Sequence, residues 1–491
     1  MSYPISYNLR QIKAAMSPAP RLIFGGDSFV SFFDTRMSRQ ALYGWPIPTI
    51  TAFNNGMFRT ATAGNNPIFE YTDGASAGAG ALVDIETGAI NGGSEYFNLP
   101  VHGLFESSFD ADYSTGSSGL MLSWSTATEH RTMPITWRPA EQGVRCMCRN
   151  LYYCPATIGD LTSRDVNRRN PTATLIDTVN FSTDARRFHW KAEGDPDAAE
   201  RGTPLVGHIN AIYPDVLLNN ETGANNLKLL VFRDTLLDGV GGAINTSDFL
   251  TLAGTVLYEV TAANAWVTGT YVQELGDNSW SYAGFGADAA ASAGTAKQFS
   301  ELQLRHWLDV TTLSLTQQPI FVFMLASESQ ASAAAVKTLA DAIVTVFETS
   351  CTSIGLPKPW FLFILPFSHS GATATEHEYM SQGVYNCARN RERVAFYSMY
   401  QDTGGIELSG SATAQAWLAA NQGNSFKYGN VVTPVDLVVT ESGNLLDGTQ
   451  LHPKNANSAA FFAAMTRNRL TTLHGWRNRR RSLRRKLEYL R

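Results

Sequence analysis

Three uninterrupted apolar runs stand late in the chain: PIFVFMLA at 319–326, PWFLFILPF at 359–367 and VAFYSMY at 394–400. A run without polar alternation suits a strand covered on both faces, and such strands belong to parallel sheets. Amphipathic helical segments separate and flank them: FSELQLRHWLDVTTL (299–313), ASAAAVKTLADAIVTVFETSC (331–351), EHEYMSQGVYNCARNRE (376–392) and NANSAAFFAAMTRNRL (455–470). The same rhythm opens the chain. RLIFG (21–25) ends in Gly-Gly, helical spacing starts at Ser28 in SFVSFFDTRMSRQAL, and PTITAF (48–53) closes in Asn54-Asn55-Gly56. Strand alternating with helix predicts an α/β chain, a three-layer α/β/α domain with a parallel sheet.

The rhythm breaks in between. TDGASAGAGA (72–81) and GADAAASAGTAK (286–297) are small-residue linkers. Between them lie short β-type runs separated by Gly, Asn, Asp and Pro: LMLSWST (120–126), MPITWRP (133–139), LKLLVFRDTLL (227–237) and TVLYEVTA (255–262). This spacing predicts a β-sandwich or jelly roll inserted into the α/β domain. The expected division is an opening α/β segment over residues 1–70, a β-rich insert over 71–297, a returning α/β segment over 298–475 and a tail over 476–491. Insertion at a loop is tolerated because closure entropy grows slowly with loop length.

With 44% apolar and 16% charged residues, the 491-residue chain is too apolar to be disordered. Residues 477–491 carry eight Arg or Lys and one Glu, a balance of +7; the overall charge of −5 then leaves −12 on the rest. An acidic body disfavours nucleic acid as a partner, so only the tail suits a polyanion. In that tail Leu483, Leu487 and Leu490 recur at helical spacing among the arginines. No apolar stretch reaches the roughly 18 residues of a membrane helix, and the first residues lack a basic-then-apolar leader. Neither a membrane partner nor secretory export is expected. The cysteines (Cys146, Cys148, Cys154, Cys351 and Cys387) are odd in number and match no paired zinc spacing. They read as small buried residues, with no metal or organic cofactor expected.

In an open α/β sheet, ligands bind beyond the carboxyl ends of the strands. Ser28, in Gly25-Gly26-Asp27-Ser28, stands at a strand-to-helix turn. There a hydroxyl is presented beside the N–H groups of a helix start, which suits nucleophilic attack and oxyanion binding, though Ser is also an ordinary N-cap. Asn55 and Gly56 form a turn whose glycine lets a backbone N–H approach a ligand. Asp447 and His452 stand in Asp447-Gly448-Thr449-Gln450-Leu451-His452-Pro453, before the last helix, where an imidazole could serve Ser28 as general base. His369 follows the second apolar strand and is a substrate-contact candidate, with an ordinary loop histidine as the other reading.

Together these residues resemble the SGNH (GDSL-type) hydrolases. GGDSF with Ser28 matches the first block, Gly56 the second-block glycine, and His452-Pro453 the end of the last block. The resemblance covers about 1–65 and 300–475. Two blocks depart from the pattern. The family's acid precedes its histidine by three residues, where this chain has Thr449; Asp447 precedes His452 by five. The third block, usually Gly-x-Asn-Asp, is Ala326-Ser327-Glu328-Ser329-Gln330 here. An ionised Glu328 would repel an oxyanion, so either Glu328 points elsewhere, or it is protonated, or Ser327 or Gln330 supplies the donor. Ser-Glu-Ser is closer to the carbohydrate acetylesterases of the same superfamily.

The resemblance implies a serine esterase acting on an O-acetylated polysaccharide or another small ester. Ser28 would be the nucleophile, His452 the base and Asp447 its orienting acid. Gly56, Asn55, Ser327, Glu328 and Gln330 would line the oxyanion and substrate site, and the β insert would frame the glycan. A Gly/Asn/Thr-rich insert without a leader suggests a virion component, a phage tail or surface protein, with other virion proteins or further copies of the chain as partners. A cytoplasmic esterase fits as well. The competing expectation is a structural or glycan-binding protein on a degenerate scaffold, motivated by the altered third block and the stretched Asp447–His452 spacing.

Overall fold

The computed structural model describes residues 3–17, 19–26, 50–54, 69–73, 81–83, 90–92, 122–124, 132–139, 146–154, 169–177, 186–189, 208–218, 228–236, 250–276, 282, 301–324, 331–421, 444–446, 461–462, 465–466 and 469–470. The strands are β1 (Ser6–Tyr7), β2 (Arg21–Gly26), β3 (Ile50–Asn54), β4 (Phe69–Asp73), β5 (Ala81–Val83), β6 (Ile90–Gly92), β7 (Leu122–Trp124), β8 (Thr132–Pro139), β9 (Cys146–Cys154), β10 (Arg169–Asp177), β11 (Arg186–His189), β12 (His208–Leu218), β13 (Lys228–Leu236), β14 (Leu250–Glu259), β15 (Thr270–Gly276), β16 (Pro319–Met324), β17 (Trp360–Leu365) and β18 (Val394–Ser398). The helices are α1 (Leu9–Ala15), α2 (Glu301–Val310), α3 (Ala333–Ser353), α4 (Ala374–Asn390), α5 (Met399–Asp402) and α6 (Ala412–Asn421).

The main sheet is mixed and mostly parallel on its α/β side, as an α/β fold requires. Its order is β1-β18-β17-β16-β2-β15-β3-β14-β9-β12, with β7 on β14. From β18 to β3 every pairing is parallel. From β3 onward, and at β1, pairing is antiparallel. Within the parallel part, β2 comes first in the chain, β15 lies on one side of it, and β16, β17 and β18 run out on the other. That is the doubly wound order, with its switch point at β2.

The apolar strands are buried on both faces, as their composition predicts. Phe321, Phe323, Phe361 and Phe363 form one core with Val336, Ile343 and Phe347 of α3. The Phe347 ring stands edge-on to Phe321 at 4.7 Å and to Phe323 at 5.2 Å. The alternate residues Leu22, Phe24, Val322, Leu362 and Ile364 are fully buried as well. Alternation along a strand sends these two sets to opposite faces, so both faces of the sheet are covered. Each such side chain contributes roughly 1.5–3 kcal/mol through the area it removes from water.

The neighbour of β2 is not β3, the next long strand in the chain: β3 lies one place further out, and β15 sits between them. The strand beside β2 therefore arrives after the β-rich stretch. That stretch does not only form sheets of its own. β9, β12 and β14 prolong the main sheet, while β11-β10-β13-β8-β4 form a separate antiparallel sheet and β5-β6 a ribbon. Cys146, Cys148 and Cys154 lie on β9, and Cys351 and Cys387 are free and buried.

At its amino end, β2 carries a buried cation. Arg21 is 1% exposed. Its Nη1 donates to Thr312 Oγ1 at 2.7 Å, its Nη2 to Thr311 Oγ1 at 2.7 Å and to Leu308 O at 3.3 Å, and its Nε to Gln273 Oε1. Arg149 of β9 donates to Val310 O at 2.9 Å and Thr312 O at 3.2 Å, and pairs with Asp215 at 3.0 Å. Helix α2 has no basic residue in its own last turn. Two arginines from distant strands thus satisfy carbonyls at its carboxyl end, where the helix dipole is negative. This explains how a guanidinium persists in the core against the burial that pulls its pKa below the ordinary value. Replacing it by Met would leave the buried Gln273 Oε1 without its donor and remove a hydrogen bond from each of Thr311, Thr312 and Leu308. Arg21→Met is expected to cost about 2–4 kcal/mol in urea unfolding, with Arg21→Lys recovering less than half because one ammonium cannot span the fork.

Candidate functional site

Six-residue ladders align β2 with both neighbours to the last residue. Gly26 stands opposite Gly276 of β15 on one side and Met324 of β16 on the other. Three chain segments therefore leave the sheet side by side at its carboxyl edge. Ser28 lies two positions beyond Gly26, and Ser327, Glu328 and Gln330 lie between Met324 and α3. The latter run ends where Ser332 caps α3, its side chain accepting from the Ala335 N–H at 3.2 Å. Asn54 of β3, which precedes Asn55 and Gly56, is beyond β15 and does not touch β2 in the ladder. Ser28, Asn55, Gly56, Ser327, Glu328, Gln330, Asp447 and His452 all lie outside the described residues.

Both flanks of the segment that carries Asp447 and His452 are described. On one side, Asn444 bridges Ser409, and the Leu445 N–H donates to Leu408 O at 2.9 Å. Glu407 in turn bridges Ser368, three residues beyond β17. On the other side, Phe461, Phe462, Met465 and Leu470 are buried and helical, as the periodicity of 455–470 predicts. Phe462 stacks on Phe367 with ring centroids 3.8 Å apart. Arg469 closes on Asp402, its Nε donating to Oδ2 at 2.8 Å and its Nη2 to Oδ1, while the Tyr397 hydroxyl donates to the same carboxylate at 2.9 Å. Burial works against the Arg469 charge, but the hydrogen bonds and charge of Asp402 outweigh it and raise its pKa. Each flank is thereby held at the carboxyl end of β17 and β18.

His369 sits on the same edge and is 2% exposed. Its Nδ1 accepts from the Gly371 N–H at 3.0 Å, which leaves the proton of the neutral ring on Nε2. Its backbone N–H points to Nε2 of His377 at 3.5 Å. His377 is also 2% exposed and lies flat on Tyr400, centroids 4.6 Å apart and planes 11° apart. Helix α4 starts in a capping box: Thr373 Oγ1 accepts from the Glu376 N–H at 3.2 Å, and Glu376 Oε2 from the Thr373 N–H at 2.7 Å. So close a start puts His377 in the first turns of α4, against the loop it faces. The sequence reading of His369 as a substrate contact meets a different setting, since its burial and local bonds are those of a structural residue. His377 carries no signal in the sequence, because a histidine at helical spacing looks like any other polar position. Among the described residues, no group of three or more His, Cys, Asp or Glu could hold a metal ion, and no helix is long and apolar enough to cross a membrane.

No protein-family model matches the chain, and no curated protein matches it. Among solved structures, it is similar to a peptidoglycan O-acetylesterase at 12% identity and a TM-score of 0.45, over 96% of this chain and 99% of that one. It is also similar to the Bacillus subtilis protein YxiM (9% identity, TM-score 0.27, 74% and 90% covered) and to a GDSL-like lipase from Bacteroides ovatus (11%, 0.18, 81% and 94%). At such overlap the likeness by itself assigns no activity.

Burial pushes the His377 pKa down from 6.5 to about 4, against the smaller opposing charge of Glu376. The folded protein thus keeps this ring neutral where the unfolded chain protonates it. Its contribution to stability is complete above about pH 6.5 and is lost as pH falls toward about 4, at up to roughly 1.4 kcal/mol per pH unit. Urea unfolding of His377→Gln from pH 7 to 4 is expected to show a shallower loss than wild type.

Proposed function

We propose that this chain is a serine esterase whose site lies at the carboxyl edge of the main sheet, around the end of β2. The observation that carries the reading is the register of β2: Gly26, two residues before Ser28, is opposite Gly276 and Met324 at the switch point of the sheet. The clamping of both flanks of Asp447–His452 to the ends of β17 and β18 supports it, because it ties a segment distant in sequence to the same edge.

In this reading Ser28 Oγ attacks the acyl carbonyl carbon, and His452 takes the hydroxyl proton. The tetrahedral intermediate collapses, and the protonated His452 gives its proton to the departing alkoxide. Water then attacks the acyl-enzyme with His452 as base, and the carboxylic acid leaves with Ser28 restored. Asp447 orients His452. The oxyanion is held by the backbone N–H groups of Ser28 and Gly56. Ser327 or Gln330 supplies a further donor from the β16 side, and Asn55, Gly56 and Glu328 border the substrate. No metal or organic group enters the steps. The substrate class is an O-acetylated polysaccharide, framed by the β-rich stretch as a jelly-roll or sandwich insert; a virion setting, with other virion proteins or further copies as partners, fits that insert.

The test is hydrolysis of 4-nitrophenyl acetate and of an O-acetylated glycan. Ser28→Ala is expected to lower kcat/KM by about 10³-fold or more, and His452→Ala by a similar factor. The double variant should be no worse than either single one, because the two groups act as a unit. Wild-type and Ser28→Ala rates that are equal and near background would overturn the esterase and leave the scaffold reading.

A further inference from the structure

Four residues beyond β17, Pro366 to His369, receive both flanks of the segment that carries His452. Phe367 takes the ring of Phe462. Ser368 takes Glu407, and the same short segment takes Asn444 through Ser409. What holds these four residues is a closed circuit at their back. The Tyr400 N–H donates to Pro366 O at 3.1 Å. The Tyr400 ring lies on His377, and Nε2 of His377 accepts from the His369 N–H at 3.5 Å. The His377 and His369 rings meet edge-on at 4.8 Å. One histidine thus links the far end of the four-residue segment to the residue that anchors its near end.

We propose that His377 is a positioning residue of the esterase site: through Tyr400 and the His369 backbone it fixes the 366–369 segment on which both flanks of His452 are seated. The inference rests on the esterase reading. It needs Nε2 of His377 as an acceptor, so the ring must be neutral with its proton on Nδ1. The groups that face it are His369 after β17, Tyr400 of α5, and Glu376 beside it on α4. The His377 ring is 2% exposed and is held inward by two aromatic contacts, so it acts through the segment and not on substrate.

The experiment compares wild type, Ser28→Ala, His377→Leu and His377→Gln on 4-nitrophenyl acetate, with a thermal melt of each. His377→Leu removes the acceptor; Gln restores one close to the position of Nε2. His377→Leu is expected to lower kcat about tenfold with KM within about twofold, since a displaced base costs rate more than binding. His377→Gln should recover at least about half of the wild-type kcat. Equal kcat in His377→Leu and wild type, or Leu and Gln variants equally impaired, would overturn the inference while Ser28-dependent turnover leaves the esterase standing. Loss of Ser28 dependence in wild type overturns both. Nitrogen chemical shifts of His377 give a readout apart from turnover and apart from whether the Leu variant folds: the Nδ1–H tautomer is expected at pH 7, and an Nε2–H tautomer rules the circuit out.

Discussion

A strand buried on both faces and both edges has no water to satisfy its backbone, so every N–H and C=O must find a partner in a neighbouring strand. β2 is such a strand: six residues, all buried, laddered along their whole length to β15 and to β16. A slip by one residue would invert its faces and strand polar groups in the core. The register is therefore rigid, and with it the level at which the chain leaves the sheet. Everything built on the carboxyl edge inherits its geometry from that ladder.

The ladder is held at its other end by charge. Arg21 begins β2 and reaches the carboxyl end of α2, which Arg149 reaches from β9. A cation against the negative end of a helix dipole tolerates burial that an isolated one does not. The arrangement also locks together three stretches of the chain distant in sequence. At the opposite edge an ion pair holds instead, Arg469 against the buried carboxylate of Asp402 after β18. Buried charge thus ties the returning segments down at both ends of the sheet, where apolar contact alone would specify the angle only loosely.

Much of this is legible in the sequence. The strands PIFVFMLA, PWFLFILPF and VAFYSMY and the helices between them stand out because a run of large apolar side chains has few alternatives to the inside of a parallel sheet. β15 does not stand out. TYVQELG contains Gln273 and Glu274, and polar residues inside a short run look like loop. Gln273 is fully buried because it accepts from Arg21, a partner more than two hundred residues away, which no local pattern displays. In the site, His369 draws notice as a histidine at a strand end, whereas the circuit through His377 and Tyr400 depends on rings brought face to face by α4 and α5.

The chain's own order of residues determined the apolar strands at 319–326, 359–367 and 394–400, the helices between them, and that the sheet is mostly parallel on its α/β side. Those follow from periodicity and burial, both local properties. Only the tertiary structure decided that β15 adjoins β2, that the β-rich stretch prolongs the same sheet, and that the flanks of His452 rest on residues 366–369. Strand order and seating are settled by competition among hydrogen-bonding edges and buried charges across the whole molecule, and a sequence window holds no record of which competitor wins.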